Sequence, residues 1–179
     1  VWSESRKHPA LEGMGATLVL ALLRDCQALI AHAGDSRAYL LRQGEFRQMT
    51  RDHTPVQRLL DEGKITLRES ADHPQAGLLS RYLGMSQDIA VDVSFLDLEP
   101  SDRLLLCSDG VTTPLTAAEI HGILELGQPP EETCRFLIDA ANLRGGEDNA
   151  TAVLVALESS PRANKTTSRI RLPALRDPS

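Results

Sequence analysis

Cysteine is scarce in this sequence, and no cysteine lies in a disulfide or zinc-binding pattern. The three cysteines, Cys26, Cys107 and Cys134, are odd in number and far apart, without a Cys-x-x-Cys pair. That spacing excludes a zinc knuckle and provides no disulfide framework. We therefore interpret them as small apolar side chains in a reducing compartment and predict a cytoplasmic protein.

Long apolar runs and an N-terminal signal peptide are also missing. The longest apolar run, residues 16–23, is too short to cross a bilayer, and the polar residues 2–8 do not resemble a signal peptide. We expect no membrane segment. The chain begins with Val1 rather than Met, and its first residues are typical of a helix entered partway through, so we expect upstream sequence to be missing.

Positive charge is in deficit. Nineteen Lys and Arg residues against 25 Asp and Glu residues give a net charge of −6. This balance argues against a non-specific nucleic-acid binder, whose affinity depends on neutralising phosphates with basic side chains. An anionic substrate would need local attraction, for instance by bound cations, because the overall field repels it.

The composition, with 41% apolar and 25% charged residues in 179, is that of one globular domain. Apolar, strand-like runs cover residues 16–23, 27–33, 37–41, 46–49, 90–96, 103–107 and 150–157. Helix-start signals at Thr54, Thr66 and Thr116 and an apolar stripe over 130–143 predict four helices. Without regular strand–helix alternation, this order favours an α+β fold, with helices packed on mainly antiparallel sheets. Residues 158–179 have no periodicity, and we predict a disordered tail or linker.

Three aspartates each lie where a strand-like run meets a turn. Asp35 follows residues 28–33, Asp109 follows residues 104–107, and Asp148 precedes residues 150–157. If these runs pair in one sheet system, its rim gathers three carboxylates without enough nearby Lys or Arg to neutralise them. Such carboxylates raise each other's pKa unless a cation lies between them, and hard oxygen ligands suit Mg²⁺ or Mn²⁺.

Each candidate residue also has a purely structural interpretation. An Asp in a turn commonly accepts backbone hydrogen bonds, and Asp35 could simply pair with Arg37 in a rigid turn. For Arg37 and Arg81 we favour ordinary salt bridges over contacts with substrate phosphate. We expect His32 to be a satisfied core side chain and His53 to cap or pack, and we expect Cys107 not to be a nucleophile, because no suitably spaced base is nearby.

Eight motifs in order resemble the bacterial form of the metal-dependent serine/threonine protein phosphatases of type 2C, the PPM-type phosphatases. They are Gly-Met-Gly-Ala-Thr-Leu at 13–18, Ala-Gly-Asp-Ser-Arg-Ala-Tyr at 33–39, Thr-Arg-Asp-His at 50–53, Gly-Lys-Ile-Thr at 63–66, His-Pro at 73–74, Ser-Arg-Tyr-Leu-Gly at 80–84, Arg-Leu-Leu-Leu-Cys-Ser-Asp-Gly at 103–110 and Gly-Gly-Glu-Asp-Asn-Ala-Thr at 145–151. The resemblance implies a layered α-β-β-α sandwich over residues 1–157, N-terminally incomplete, with metals in a cleft at one end.

The resemblance also implies roles for the three aspartates. Asp109 and Asp148 match the two that hold the first of two core metal ions, and Asp35 matches one that helps to hold a weaker third ion. Residues 50–85 match a mobile flap beside the cleft. The family's upstream Asp-Gly motif, which bridges both core metals, is absent from residues 1–12. The resemblance places the family's phosphate-binding arginine and its acid histidine in the same missing upstream region. No catalytic side chain is therefore assigned in this chain, because the nucleophile is water.

We expect a monomeric enzyme that uses Mg²⁺ or Mn²⁺ to remove phosphate from Ser and Thr of proteins that a Ser/Thr kinase has phosphorylated. The isolated chain should be weakly active or inactive. The alternative is a degenerate phosphatase domain that acts as a non-catalytic phosphoprotein-binding or regulatory module. A third possibility, aspartates that serve only in turns, predicts no change in melting temperature when Mn²⁺ is added.

Overall fold

The computed structural model describes residues 1–71 and 73–158, so the tail predicted over 158–179 lies almost entirely outside the described residues. The strands are β1 Leu18–Arg24, β2 Gln27–Ala33, β3 Arg37–Arg42, β4 Glu45–Gln48, β5 Asp92–Asp97, β6 Arg103–Cys107 and β7 Ala152–Ala156. The helices are α1 Trp2–Lys7, α2 Pro55–Asp61, α3 Leu67–Ala71, α4 Asp109–Thr112, α5 Ala117–Glu125 and α6 Pro130–Leu143. The predicted strands are all present, whereas the short helix α4 was not predicted.

The strands form two antiparallel sheets. Sheet I has the order β1-β2-β5, and sheet II has the order β4-β3-β6-β7. Short turns make the hairpins: Gln43 and Gly44, between β3 and β4, both have positive φ angles, of 51° and 81°. A two-residue turn with two positive φ angles matches the right-handed twist of the strands that it joins.

Side chains of the two sheets meet in a first core. Ile30 from sheet I packs with Leu40 and Leu104 from sheet II. The opposite face of sheet II carries a second core, in which Leu105 packs against Leu124 of α5 and Leu137 of α6. Leu104 and Leu105 are both 0% exposed, so β6 is buried on both faces, as its continuous apolar run predicted.

The helix layer is held by capping that the sequence encodes. Thr116 accepts a hydrogen bond from the Glu119 backbone while the Glu119 side chain accepts one from the Thr116 N–H, which completes a capping box at the start of α5. The α6 helix packs against β7, and α5 contacts β3. Antiparallel pairing within sheet II places the start of β3, the end of β6 and the start of β7 at one rim.

The outer face of sheet I is exposed among the described residues. Leu20 and Leu22 on β1 and Val93 and Phe95 on β5 project from this face, and Leu22 and Phe95 are 62% and 60% exposed. The described layers are therefore helix, sheet and sheet. The predicted α+β class with two antiparallel sheets is confirmed, and the described residues leave apolar surface on sheet I uncovered.

No helix within residues 1–71 and 73–158 is both long enough and apolar enough to span a membrane.

Candidate metal centre

The three predicted aspartates emerge at the same end of sheet II. In the register of this sheet, Arg37 of β3 lies opposite Cys107 of β6, which in turn lies opposite Ala152 of β7. Asp35 is two residues before Arg37, Asp109 is two residues after Cys107, and Asp148 is four residues before Ala152. The rim that the sequence predicted therefore exists.

The turns that carry Asp109 and Asp148 are bonded to each other. The Ser108 N–H donates to the Thr151 carbonyl at 3.1 Å, and the Thr151 N–H donates to Ser108 Oγ at 3.0 Å. A Cβ on Gly110 would lie 2.4 Å from the Asn149 carbonyl oxygen. Only glycine therefore lets the backbone after Asp109 approach the backbone after Asp148 so closely.

Both carboxylates also make the local turn bonds that the structural interpretation predicted. Asp109 Oδ1 accepts from the Gly110 N–H at 2.9 Å, and Asp148 Oδ1 accepts from the Asn149 N–H at 2.7 Å. In both residues the bond uses one oxygen and leaves Oδ2 as a further acceptor. The turn role and a ligand role are therefore compatible in each residue.

Arg37, the basic residue nearest to Asp35 in the sequence, forms its ion pair with a different carboxylate. Arg37 forms an ion pair with Asp52, with Nη2 at 2.6 Å from Oδ2, and donates from Nη1 to the Tyr39 hydroxyl at 3.1 Å. The predicted ordinary salt bridge of Arg37 is thus present, with Asp52 rather than Asp35. No aspartate of the rim forms an ion pair within the described part of the chain.

Electrostatics within the rim couple Asp35 to Asp109. Burial, and after it the charge of Asp109, raises the pKa of Asp35 above its ordinary value. A bound divalent cation would relieve both effects, and unpaired carboxylate oxygens are the donors that Mg²⁺ and Mn²⁺ prefer. The donor set therefore fits such an ion, although among residues 1–71 and 73–158 these carboxylates do not form a group with all ligand atoms within 4.8 Å.

Comparison with known proteins gives the family. A family model described as protein phosphatase 2C matches residues 3–59. The chain is 43% identical over 145 residues to the serine/threonine phosphatase stp of Listeria innocua, covering 81% of this chain and 58% of that protein. It also superposes on the PPM Ser-Thr phosphatase MsPP from Mycobacterium smegmatis with a TM-score of 0.74 and 34% identity, covering 88% of this chain and 71% of that one. The chain belongs to the protein phosphatase 2C family.

The family resemblance drawn from the motifs is thereby confirmed, and so is the fold that it implied. Another solved relative, the catalytic domain of the phosphatase PstP, is in complex with two manganese ions and superposes with a TM-score of 0.77 and 35% identity, covering 87% of this chain and 65% of that one. The present chain spans about three fifths of the length of the curated relative from Listeria innocua, 58%.

Cys107 lies next to the turn that carries Asp109, but its thiol is not part of the rim. Its side chain is buried in the second core, and burial raises the pKa of the Cys107 thiol to about 12. The thiol is therefore protonated near neutral pH and is a poor nucleophile. This agrees with the expectation that water, not a cysteine, attacks the phosphorus in this family.

Replacing Asp35 with Asn is expected to raise the melting temperature of the metal-free protein at pH 7 by about one to three degrees. The pKa of Asp35 is raised in the folded state, so this carboxyl favours folding only while it is protonated, and that contribution is lost as the pH rises through the folded pKa. The gain should accordingly shrink as thermal melts are repeated toward pH 4.

The control is Asp25→Asn at the β1–β2 turn, at the other end of sheet I, which should leave the melting temperature unchanged. If the melting temperature of Asp35→Asn at pH 7 is equal to or below that of the wild type, the ionised Asp35 carboxylate does not destabilise the folded protein, and the prediction is wrong.

Sequence reasoning missed one group of side chains near this rim. His32, His53 and Asp92 each offer a potential ligand atom, and these atoms lie within 4.8 Å of one another. Asp92 opens β5 and reads in the sequence as an ordinary outward polar residue, because its closeness to His53 depends on how sheet I meets residues 50–53. No local signal could have revealed it.

Proposed function

We propose that this chain is the metal-binding part of a phosphatase that removes phosphate from phosphoserine and phosphothreonine in proteins with the help of Mg²⁺ or Mn²⁺. The observation that carries the proposal is the rim of three unpaired carboxylates, at the end of a sheet whose fold is that of the 2C-type phosphatases. The relatives' names, serine/threonine phosphatases, support the same substrate class. The substrates would be proteins that a Ser/Thr kinase has phosphorylated.

The three aspartates divide into two pairs. Asp109 and Asp148 would share one ion, because the hydrogen bonds between Ser108 and Thr151 hold their turns together. Asp35 and Asp109 would share an accessory ion, because Asp109 is close enough for its charge to raise the pKa of Asp35. Asp109 is then common to both pairs.

Divalent ions at such a rim supply a nucleophilic water near neutral pH and neutralise charge on the phosphoryl oxygens. The chain's own contribution is orientation. The backbone N–H groups of Gly110 and Asn149 fix one oxygen of each carboxylate, which presets the direction of the other. Preset ligands lose little conformational entropy when an ion binds.

We further propose that these 179 residues alone hydrolyse phosphate esters slowly. A site for two ions needs a carboxylate that bridges them, and residues 1–12 contain only Glu4 and Glu12 as acidic residues and no Asp-Gly pair. The wider spacing of the three rim carboxylates is in keeping with an open ligand set. Monomeric behaviour stays a prediction.

The test combines binding and turnover on the same protein. Electron paramagnetic resonance should detect Mn²⁺ bound to the chain, and the melting temperature should rise with Mn²⁺ because the ion binds the folded state. Hydrolysis of p-nitrophenyl phosphate and of phosphoserine, phosphothreonine and phosphotyrosine peptides should be slow, with preference for the first two peptides and loss in EDTA.

Three outcomes separate the candidate functions. If Mn²⁺ does not bind and does not shift the melting temperature, only a structural role remains for the aspartates. Tight binding of a phosphoprotein with no hydrolysis, even at saturating Mn²⁺, would favour the non-catalytic module. Rapid hydrolysis would confirm the phosphatase and contradict the proposed slow turnover of the isolated chain.

A further inference from the structure

The cluster of His32, His53 and Asp92 lies on the inner side of sheet I, directly behind the turn that carries Asp35. His32 is on β2, opposite Asp92 of β5 in the strand register. Both imidazoles are buried, and their potential ligand atoms and an Asp92 oxygen lie within 4.8 Å of one another. The group could either bind a metal ion or form a hydrogen-bonding network, and the geometry decides between the two.

The two imidazole rings are stacked, which opposes a shared metal ion. Their centroids are 4.5 Å apart and their planes differ by 19°. An imidazole nitrogen binds an ion in the plane of its ring at about 2.0–2.1 Å, so an ion in the plane of one ring would lie far above the plane of the other. In addition, the guanidinium of Arg81 already forms an ion pair with Asp92. The cluster is therefore a hydrogen-bonding network.

The hydrogen bonds of His53 indicate which of its ring nitrogens carries the proton. The Gly34 N–H donates to His53 Nδ1 at 3.1 Å, so this nitrogen is unprotonated. The proton of the neutral ring is then on Nε2, which lies 3.2 Å from Asp92 Oδ2. Arg81 Nη1 donates to the other oxygen of the same carboxylate, Oδ1, and also lies 3.1 Å from His53 Nε2, so the three side chains contact one another. Burial lowers the pKa of His53, which favours this neutral ring.

His53 holds the turn at residues 34–36 from one side. Besides accepting from the Gly34 N–H, it donates its own backbone N–H to the Gly34 carbonyl at 3.0 Å. Thr17 holds the turn from the other side, because its hydroxyl is bonded to Ser36 Oγ at 2.8 Å. Gly34 has a φ of +116° and would place a Cβ 2.4 Å from Thr17, so only glycine fits at this position of the turn.

Residues 50–85 therefore connect to Asp35 through side chains. We propose that Arg81, Asp92 and His53 are positioning residues, which hold the turn at residues 34–36 so that Asp35 faces Asp109 and thereby set the affinity of the ion to which Asp35 contributes. The ligand role of Asp35 is taken from the proposed function. Arg81 contacts both Asp92 and the imidazole of His53, Asp92 pairs with the same imidazole, and His53 holds the peptide that precedes Asp35.

The experiment is a double-mutant cycle read by Mn²⁺ binding in electron paramagnetic resonance, with no need for turnover. Arg81→Gln removes the guanidinium charge, and we expect about a five- to twenty-fold weaker Mn²⁺ affinity at the weaker class of sites, with the tighter class unchanged. In the Asp35→Asn background the same substitution should have no effect on binding. Arg81→Lys keeps a positive charge near Asp92 and should restore part of the affinity.

A matched control comes from the same segment of the chain. Arg51 forms an ion pair with Asp61, and its side chain is more exposed than that of Arg81. Arg51→Gln should leave Mn²⁺ binding unchanged while removing an ion pair of the same type. If Arg81→Gln does not fold by circular dichroism, Asp92→Asn replaces it in the same cycle, since it removes the charge and keeps the volume.

The outcomes separate this inference from the proposed function. Mn²⁺ binding that does not respond to Asp35→Asn would remove Asp35 from the metal site and end both. A response to Asp35→Asn without a response to Arg81→Gln or Asp92→Asn would overturn the positioning role alone. An equal loss of affinity in the wild-type and Asp35→Asn backgrounds would also overturn it, because the network would then act through another residue.

Discussion

An Asp109→Asn variant is expected to lose at least about 100-fold in Mn²⁺ affinity, the largest effect of any single substitution at the rim. Asp109 is linked to both other carboxylates, since its turn is hydrogen-bonded to the turn of Asp148 and its charge raises the pKa of Asp35. Asparagine keeps the shape and the oxygen that accepts from the Gly110 N–H, so the loss reports charge and ligation. Titration by electron paramagnetic resonance measures the affinity, and thermal melts should show no Mn²⁺-dependent rise.

A second variant tests the same arrangement without removing a charge. Gly110→Ala introduces a Cβ 2.4 Å from the Asn149 carbonyl oxygen, so the turns that carry Asp109 and Asp148 must move apart, and Mn²⁺ affinity should fall as well. Asp25→Asn is the control for charge, because it lies at the far end of sheet I and can adopt the positive φ of 53° at that position. Wild-type affinity in Asp109→Asn would contradict the proposed metal site.

The second large effect is expected at the opposite end of sheet II. Arg42→Leu should destabilise the protein by about 3–5 kcal/mol at pH 7, because it leaves Asp102 as an unpaired buried carboxylate. The Asp102 side chain is 1% exposed and lies 2.6 Å from Arg42 Nη2. Within the described part of the chain, its carboxylate also accepts a hydrogen bond from the Glu99 N–H at 2.8 Å. Urea unfolding at pH 7 gives the free energy directly.

Lowering the pH should reduce the difference in the free energy of unfolding between Arg42→Leu and the wild type. Burial alone would raise the pKa of Asp102, but hydrogen bonds from Arg42 and from the Glu99 N–H hold it below its ordinary value. In the wild type this contribution is present above the unfolded pKa and lost as the pH falls through the folded pKa. Without Arg42 the pKa rises, so acidification protonates Asp102 and relieves the variant.

The control for this pair is Arg47→Leu on the exposed side of β4, since Arg47 forms no ion pair among the described residues. That variant should change the free energy of unfolding by less than about 0.5 kcal/mol. If Arg42→Leu lowers the free energy of unfolding by less than about 1 kcal/mol, or if its difference from the wild type does not depend on pH, the buried Asp102 carboxylate does not need Arg42 as a partner.

Much of the fold was predictable because its signals are local. The run at residues 103–107 is apolar at every position but the first, which is consistent with a strand buried on both faces, and Leu104 and Leu105 are both fully buried. The Thr116–Glu119 pair marks the start of α5 to the residue. The short helix α4 was missed, because Asp109 and Gly110 carry the signals of a turn.

The candidate site was predictable only in part. The positions of Asp35, Asp109 and Asp148 at strand ends were readable, and antiparallel pairing then brings strand ends together. The partner of Arg37 was not: the sequence offered Asp35, two residues away, whereas the fold provides Asp52. Asp92 and Arg81 were equally hidden, since their distance from His53 is set by the packing of one sheet on another segment.

The uncovered face of sheet I has a consequence for the chain in solution. Leucine, valine and phenylalanine side chains on β1 and β5 keep water in contact with hydrocarbon, at a cost of about 25 cal/mol for each Å². Salts such as sulfate, which are excluded from protein surfaces, increase that cost. The solubility of the isolated polypeptide should therefore fall steeply in ammonium sulfate, and low ionic strength should be the better storage condition.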